Sequence, residues 1–428
     1  MANNTITAPK GFLAAAMQCG IKKSGKADLG LLVCPAGASS AAVFTTNKVV
    51  SAAVQVCKKH TRSSKTYAVV VNSGNANTCT GRKGIENAIT MCSKTAHSLN
   101  AIQVCHSERS GAKSRNLLKY CSAIRNTQYA IRNILVASTG IIGKQLPIKK
   151  ITAGISKAAA KLSASSKAGL DFTRAIMTTD TKPKQAVRRL EISGAKVTIA
   201  GAVKGAGMIA PNMATTLCFI TTDVAITKPL LAKALKAAIG NSLNRLTVDG
   251  HQSTNDTAII LASGLAGNRP IVSQCQRYKR FANTLADLCD DLARQMVLDA
   301  EGATRMFKVV VKGAATKADA ARAARAIANY PLVKCAVNGG DPNWGRIICA
   351  VGSASVKLNP NKLSCKLGPI TVFKNGTPKK FDAKKASKVV SQTEHTITVD
   401  LGAGKADDFC YGCDLSAEYV RINADYHT

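Results

Sequence analysis

Short apolar segments rich in β-branched residues alternate along this sequence with longer segments of helical periodicity. Val, Ile and Thr favour strands, whereas an apolar residue at every third or fourth position indicates an amphipathic helix. The two kinds of segment follow one another without internal repeats and without a regular βαβ spacing of about 30 residues. We therefore expect an α/β (α+β) fold, a layered αββα-type sandwich with a second, smaller C-terminal α/β domain.

The predicted elements are as follows. In the region 30–72, the segments LGLLVCPAG, AAVFTTN, VVSAAVQVC and YAVVVNSGNAN are expected to be strands of one sheet. The Asn/Gly-rich segment 72–81 is expected to end the last strand and to lead into a helix at about 84–98. Further helices are expected at 147–167, 228–244, 274–298 and 316–329, and strands at NILVAS, 215–226 and 257–263, with the apolar segments FKVVVKG and RIICAVG later in the chain. From about 364 to 428 the chain is expected to alternate as strands, with a hairpin turn at Asn375-Gly376.

The length of 428 residues suits two closely packed domains. The segment at about 101–130 is basic, lacks apolar periodicity and is interpreted as a surface insertion. No apolar run reaches the ~20 residues of a membrane span, and the N-terminal residues resemble neither a signal peptide nor a transit peptide. The sequence therefore predicts a cytoplasmic protein without a membrane partner.

The charge of the chain is strongly positive, because 59 Lys and Arg residues oppose 24 Asp and Glu residues, giving +35. Such an excess attracts polyanions through counterion release, so a basic nucleic-acid-binding protein has to be considered. The basic residues are spread over the whole chain, however, and aromatic residues make up only 4%. Without stacking residues or a recognisable motif, we expect a solvated basic surface and no nucleic-acid partner.

The cysteines number 15, an odd count with scattered spacing in a long chain, and are expected to be reduced thiols. Cys410 and Cys413 form a CxxC without a second pair or histidines nearby. A strand or turn position is favoured over a metal site there, and no metal is expected.

The segment 204–217, KGAGMIAPNMATTL, places a glycine turn and a Pro-Asn loop before a threonine at the start of an apolar strand. It does not match the phosphate-binding pattern GxxxxGK[ST]. An internal threonine hydroxyl has no base nearby, whereas an N-terminal threonine carries an α-amine with a pKa of roughly 7.7–8.0. Cleavage before Thr215 would therefore create a nucleophile together with its base.

This segment resembles the autoprocessing signature of the ornithine acetyltransferase family, also called glutamate N-acetyltransferase, in which the bond before the Thr of Ala-Thr is cut. Other motifs resemble the family in the same order: ITAPKGF, NSGNANTCTG, VASTGIIG, IMTTDTKPK, DGHQSTNDT, LDAEGATR, GGDPNWGRI and GCDLSAEYVRINADY. The chain departs from the family at Thr216, where Met is usual, and in the inserted segment 101–130. Thr216 is thus a formal rival nucleophile.

The resemblance implies cleavage between Ala214 and Thr215, giving an alpha chain of residues 1–214 and a beta chain of residues 215–428. The beta chain would contain a C-terminal subdomain from about 310, and two alpha and two beta chains would form a heterotetramer. Thr215 would be the nucleophile, with the hydroxyl of Thr139 and the N–H of Gly140 as the oxyanion hole. The substrate-binding residues implied are Thr178, Lys204, Thr215, Glu301, Asn423 and Thr428.

The activity implied is transfer of acetyl from N2-acetylornithine to glutamate by a ping-pong mechanism, with acetyl-CoA as a possible further donor and no cofactor. Lys204 suits a substrate α-carboxylate and Glu301 suits the ammonium of ornithine. Trp344 is expected to lie in the core. The alternatives are a self-cleaving amidohydrolase or aminopeptidase, which would pass the acyl group to water, and more remotely the nucleic-acid-binding protein, which would stay uncleaved.

Overall fold

The computed structural model describes residues 3–108, 129–210 and 216–425. Its helices are α1 (Ala52–His60), α2 (Gly81–Glu108), α3 (Ile148–Ala159), α4 (Ser166–Ile176), α5 (Lys228–Gly240), α6 (Gln276–Leu298), α7 (Lys317–Asn329), α8 (Pro331–Gly339), α9 (Trp344–Gly352), α10 (Ala383–Val390) and α11 (Ala417–Asp425). Its strands are β1 (Leu13–Met17), β2 (Leu29–Phe44), β3 (Thr66–Asn75), β4 (Ile134–Ile141), β5 (Lys184–Ile192), β6 (Ala195–Lys204), β7 (Leu217–Thr222), β8 (Leu246–Thr247), β9 (Thr257–Ala262), β10 (Met306–Ala314), β11 (Ser364–Leu367), β12 (Ile370–Lys374), β13 (Thr377–Pro378), β14 (Glu394–Asp400) and β15 (Ala406–Cys413).

The long strand β2 connects two halves of the first sheet, whose order is β4-β3-β2-β9-β7-β6-β5 with β1 also paired to β2. Residues Leu29–Val33 of β2 pair with β3, and Ser39–Phe44 pair with β9. The change of partner falls around Pro35, which has no N–H to donate, and Gly37, whose φ is +76°. The strand can therefore pass from one half of the sheet to the other.

The two halves pack against each other with helices outside them. Helices α1, α2 and α3 contact the β1–β4 half, while α5 and α6 contact the half formed by β5, β6, β7, β9 and the end of β2. Between the halves, Phe172 of α4 meets Phe219 of β7 edge to face, with ring centroids 5.5 Å apart. The predicted αββα-type layering is confirmed.

The second sheet forms the smaller C-terminal α/β domain, also as predicted. Its strand order is β13-β12-β11-β14-β10-β15-β8. Helices α7, α8, α9 and α10 pack on it around a core that includes Phe307, Ile327 and Val399. Trp344 is only partly buried in this core, where it stacks on Phe373 at 5.2 Å.

Three predictions of secondary structure are wrong. The segment VVSAAVQVC is mostly helix α1, because the side chain of Ser51 caps its first turn by accepting the N–H of Val54. The helix predicted at 147–167 is two helices: Ser163 pairs with Ala14 between them, and Ser165 caps α4. The C-terminal region, expected to alternate as strands, also contains helices α10 and α11.

Other predictions are confirmed. Asn375 and Gly376 have φ of +51° and +72° and join β12 to β13 in a tight hairpin. Cys410 and Cys413 are free thiols in strand β15.

Of the predicted insertion at 101–130, residues 109–128 lie outside the described residues, while 101–108 continue helix α2. Among the helices that the structure describes, none is both long enough and apolar enough to cross a membrane.

Candidate active site

A cavity of about 300 Å³ lies where the ends of β4 and β6 meet the starts of β7 and β9. It is lined by every predicted site residue that the structure describes: Thr139, Gly140, Thr178, Lys204, Glu301 and Asn423. The predicted cleavage site Ala214/Thr215 and the predicted substrate contact Thr428 lie outside the described residues. Residues that are far apart in the sequence therefore surround one space.

The registers of β6, β7 and β9 explain why this edge is polar. Lys204 pairs with Leu217 and Leu217 with Thr257, so the end of β6 lies beside the starts of β7 and β9. The N–H of Thr257 donates to the carbonyl of Thr216 over 2.8 Å. Thr216 and Asp256 thus precede neighbouring parallel strands and both line the cavity.

The opposite wall is the end of β4, which carries Thr139 and Gly140. Gly140 has a φ of +130°, and a Cβ there would lie 2.3 Å from the carbonyl carbon of Gly74. Only glycine allows this close approach of β4 to β3. Thr139 is buried, and its Oγ1 accepts a hydrogen bond from Lys204 Nζ over 3.1 Å.

Asn255 holds this wall in place and was given no role by the sequence. Its Nδ2 donates to the carbonyls of Ala76 and Ser138 over 2.6 Å and 2.7 Å. Ser138 directly precedes Thr139, so this amide links the end of β4 to the start of β9. The sequence signal was its place in the motif DGHQSTNDT.

The glycines of KGAG have separate structural roles. A Cβ on Gly205 would lie 2.9 Å from Thr216 Cγ2, and one on Gly207 would lie 2.2 Å from a carboxylate oxygen of Glu301. Gly207 therefore leaves room for the Glu301 carboxylate. The N–H of Glu301 donates to Ala206, and Asn423 Nδ2 donates to Glu301 Oε2, both over 3.0 Å.

Lys204 and Glu301 place opposite charges on the cavity. Burial lowers the pKa of Lys204, while the nearby carboxylate of Asp180, and more weakly Asp256 and Glu301, raise it. Asp256 is almost fully buried, and burial raises the pKa of its carboxyl well above the usual value. Its Oδ2 has no hydrogen-bond partner among the described residues. In the sequence, Asp256 was marked by its place in the motif DGHQSTNDT, directly before a predicted strand.

Asp249 organises the loop that leads toward the predicted cleavage site. Its carboxylate accepts the N–H groups of Met208 and Ile209 over 2.7 Å and 2.9 Å and the hydroxyl of Tyr419 over 3.2 Å. Burial is the main reason that the pKa of Tyr419 is raised. Helix α11, which carries Tyr419 and Asn423, is thereby attached to the rim of the cavity.

Residues 13–428 match the model of the ArgJ family. The chain is 43% identical over 425 residues to the arginine biosynthesis bifunctional protein ArgJ of Symbiobacterium thermophilum, covering 99% of this chain and 98% of that protein.

Among solved structures, the chain is 40% identical to the arginine biosynthesis bifunctional protein ArgJ of Bacillus halodurans, with a TM-score of 0.48, covering 49% of this chain and 98% of that one. It is 31% identical to the ornithine acetyltransferase of Mycobacterium tuberculosis complexed with ornithine, with a TM-score of 0.40, covering 50% of this chain and 98% of that one. On the match to the family model and the identity to curated relatives of nearly the same length, this chain belongs to the ArgJ family.

Proposed function

We propose that this protein is an acetyltransferase of arginine biosynthesis that transfers acetyl from N2-acetylornithine to glutamate. Its full-length similarity to proteins named for arginine biosynthesis supports the pathway. The main support for the proposal is that one cavity is lined by Thr139, Gly140, Lys204 and Glu301 together. It offers an oxyanion-stabilising group, a cation and an anion within one small space.

The proposed nucleophile is Thr215, freed as an N-terminus by self-cleavage after Ala214. Its Oγ attacks the acetyl carbonyl of N2-acetylornithine while its own α-amine takes the proton. The tetrahedral intermediate collapses, the amine of ornithine leaves with that proton, and an acetyl-Thr215 ester remains. The amine of glutamate then attacks this ester and gives up a proton to the α-amine of Thr215. The bond from the acetyl carbon to Oγ breaks, Oγ takes that proton, and N-acetylglutamate leaves the free threonine behind.

The proposed oxyanion hole combines the hydroxyl of Thr139 with the N–H of Gly140. Because Thr139 Oγ1 accepts the hydrogen bond from Lys204, its own proton is left to be donated to a ligand. A positioned donor of this kind contributes about 10²–10³ in rate.

The charges of the cavity suit amino-acid substrates. In the proposal Lys204 binds the α-carboxylate that both substrates carry, and Glu301 binds the side-chain ammonium of ornithine. Thr178 and Asn423 line the same space and contribute polar contacts. Thr428 is proposed as a further substrate contact.

The wider proposal concerns donors and assembly. The relatives are named bifunctional, and we propose acetyl-CoA as a second acetyl donor. The proposed cycle uses neither a metal nor an organic cofactor. Two alpha chains and two beta chains are proposed to assemble as a heterotetramer.

The deciding experiment is intact mass of the purified protein under denaturing conditions, beside Thr215→Ala and Thr216→Ala. We expect two fragments that meet at Ala214/Thr215 in the parent and in Thr216→Ala, and one chain of 44.7 kDa in Thr215→Ala. An uncut parent, or cleavage that persists in Thr215→Ala, would disprove the proposed nucleophile.

A second assay separates transfer from hydrolysis. The processed protein is given N2-acetylornithine labelled in its acetyl group, with and without glutamate. Label in N-acetylglutamate supports the acetyltransferase, whereas labelled acetate formed equally in both samples identifies the hydrolase alternative. Steep, salt-dependent DNA binding by an uncleaved, inactive chain would instead identify a nucleic-acid-binding protein.

A further inference from the structure

The carboxylate of Asp180 is fully buried beside the cavity, and both of its oxygens are used. Oδ1 accepts from Lys184 Nζ over 2.6 Å and from the N–H of Gly205 over 2.7 Å, while Oδ2 accepts the N–H of Thr178 over 2.9 Å. One side chain thus connects the loop before β5 to the backbone that directly follows Lys204. It is not itself among the residues that line the cavity.

Lys184 extends this contact to a third segment. Its side chain is 2% exposed, and Nζ also pairs with Asp299 Oδ2 over 2.5 Å. Asp299 follows helix α6 and lies two residues before Glu301. We call Asp180, Lys184 and Asp299 the buried charge cluster. The segments that carry Thr178, Lys204 and Glu301 all meet on it.

The groups around Lys204 determine whether its ammonium keeps its proton. The ammonium interacts electrostatically with one cation, Lys184, and with three carboxyl groups, those of Asp180, Asp256 and Glu301. Lys22, on the loop between β1 and β2, adds another cation nearby. Burial lowers the pKa of Lys204 most, and among the groups that oppose this effect Asp180 is the strongest.

Among the carboxyl groups near Lys204, that of Asp180 has a lowered pKa. Although its burial acts to raise its pKa, Lys184 and Lys204 lower it to about 2, so Asp180 is ionised near neutral pH. Asp256 behaves in the opposite way, because burial raises its pKa and favours the uncharged carboxyl. The charge that stabilises the Lys204 ammonium therefore comes mainly from Asp180.

We propose that Asp180 is a positioning residue that keeps Lys204 cationic and fixed at the cavity, so that near neutral pH a substrate carboxylate meets a positive charge. This inference rests on the proposed function, in which Lys204 binds that carboxylate. Lys184 holds Asp180 through their ion pair, but its own charge opposes the charge on Lys204. Removing Asp180 and removing Lys184 therefore change the protonation of Lys204 in opposite directions.

The test is the affinity of the processed protein for glutamate, measured by calorimetry between about pH 6 and pH 10, where a lysine of lowered pKa titrates. The variants are Asp180→Asn and Lys184→Met, with Asp171→Asn, a partly exposed acid on α4 that does not line the cavity, as the control. In Asp180→Asn the alkaline loss of affinity should begin at lower pH, with a Kd about tenfold weaker for each unit that the pKa of Lys204 falls. In Lys184→Met that loss should begin at the same or a higher pH.

A purely structural role predicts a different result. If the cluster only supported the fold, both variants would lose affinity to the same degree at every pH, and that outcome would overturn the proposal. At neutral pH, kcat of Asp180→Asn should stay within about threefold of the parent while KM for glutamate rises. The lost interaction binds the substrate carboxylate equally in the ground state and in the transition state.

If circular dichroism shows that Asp180→Asn folds poorly, the variant Lys204→Arg provides an independent test. Arginine stays charged throughout this range, so in Lys204→Arg only the alkaline loss of affinity that comes from the ammonium of glutamate itself should remain. If the pH profile of Lys204→Arg is the same as that of the parent, Lys204 is not the titrating group and the proposal is wrong. Parent protein that binds glutamate with the expected pH profile but transfers no acetyl group would refute the proposed function and leave the role of Asp180 standing.

Discussion

Lys204 Nζ and Thr139 Oγ1 are joined by a hydrogen bond of 3.1 Å that connects β6 to β4 across the cavity. The proposed carboxylate-binding cation is therefore adjacent to the proposed oxyanion donor. In an N2-acetylated α-amino acid, only the α-carbon and the amide nitrogen separate the carboxylate from the acetyl carbonyl. The short spacing of the two groups in the protein matches this short spacing in the substrate.

Thr139→Val tests the oxyanion role of the hydroxyl. The change keeps the β-branched shape but removes the donor, so kcat for acetyl transfer should fall by about 10²–10³. Thr139→Ser restores a hydroxyl and should recover most of the rate. Initial rates of N-acetylglutamate formation measure both. Thr152 of α3, which is partly exposed and does not line the cavity, supplies the control Thr152→Val, which should leave the rate unchanged. Equal rates for Thr139→Val and the parent would remove Thr139 from the mechanism.

Gly140→Ala tests the close approach of β4 to β3. The added Cβ would lie 2.3 Å from the carbonyl carbon of Gly74 at a φ of +130°, so the strand end must move. We expect a loss of stability of more than about 3 kcal/mol in urea unfolding, with acetyl transfer reduced alongside.

Gly143→Ala is the matched control, because its φ is +82° but no atom lies within 4 Å of the added Cβ. Only backbone strain of about 1–2 kcal/mol applies there. If both substitutions cost the same, the contact with Gly74 is not what requires glycine at position 140.

Glu301→Gln tests recognition of the ornithine ammonium. The amide oxygen can still accept the hydrogen bond from Asn423, so the packing against Gly207 is retained while the charge is lost. A hydrogen bond to a charged group contributes about 1.5–3 kcal/mol, so KM for N2-acetylornithine should rise about 10- to 100-fold. KM for glutamate should change much less. Glu191→Gln, at an exposed site on β5, should change neither value. Equal rises in both KM values would contradict the assignment.

The layers of the fold could be predicted from the sequence because their signals are local. Strand β9, for example, is an apolar stretch of β-branched and aliphatic residues between polar ones, and it forms as expected. The segment of helix α1 is rich in valine, which favours strands, and for that reason a strand was predicted there. Its cap, Ser51, and the helical spacing of its buried Ala53, Val56 and Cys57 were the signals that the prediction missed. Short apolar segments support either assignment until a cap is recognised.

Some residues of the candidate site could also be recognised from the sequence, and others could not. Thr139, Lys204 and Glu301 were recognisable from motifs, whereas Asp180 and Asn255 were given no role. The contacts of these two residues are with groups distant in the sequence, such as the carbonyl of Ser138, which lies 117 residues from Asn255. A carboxylate or amide gains such a role only from the partners that the fold supplies, so a motif can mark the residue without revealing its contacts.

His395 gives a prediction about stability in acid. The ring is buried and stacks on Phe307 with centroids 5.9 Å apart, and burial lowers its pKa to about 4 from 6.5. Between these two values the unfolded chain binds a proton that the folded chain does not, so stability is lost as the pH falls from about 6.5 toward 4.

The effect of His395 should amount to about 2 kcal/mol between pH 7 and pH 4.5. His395→Phe keeps the aromatic contact with Phe307 and cannot take up a proton, so urea unfolding of this variant should show a smaller loss of stability on acidification than the parent does. His97→Gln, at an exposed position of α2, should behave like the parent. Other groups also titrate in this range, and for that reason the difference between variant and parent is the quantity to compare. If His395→Phe loses as much stability as the parent, the ring is already protonated in the folded protein at pH 4.5.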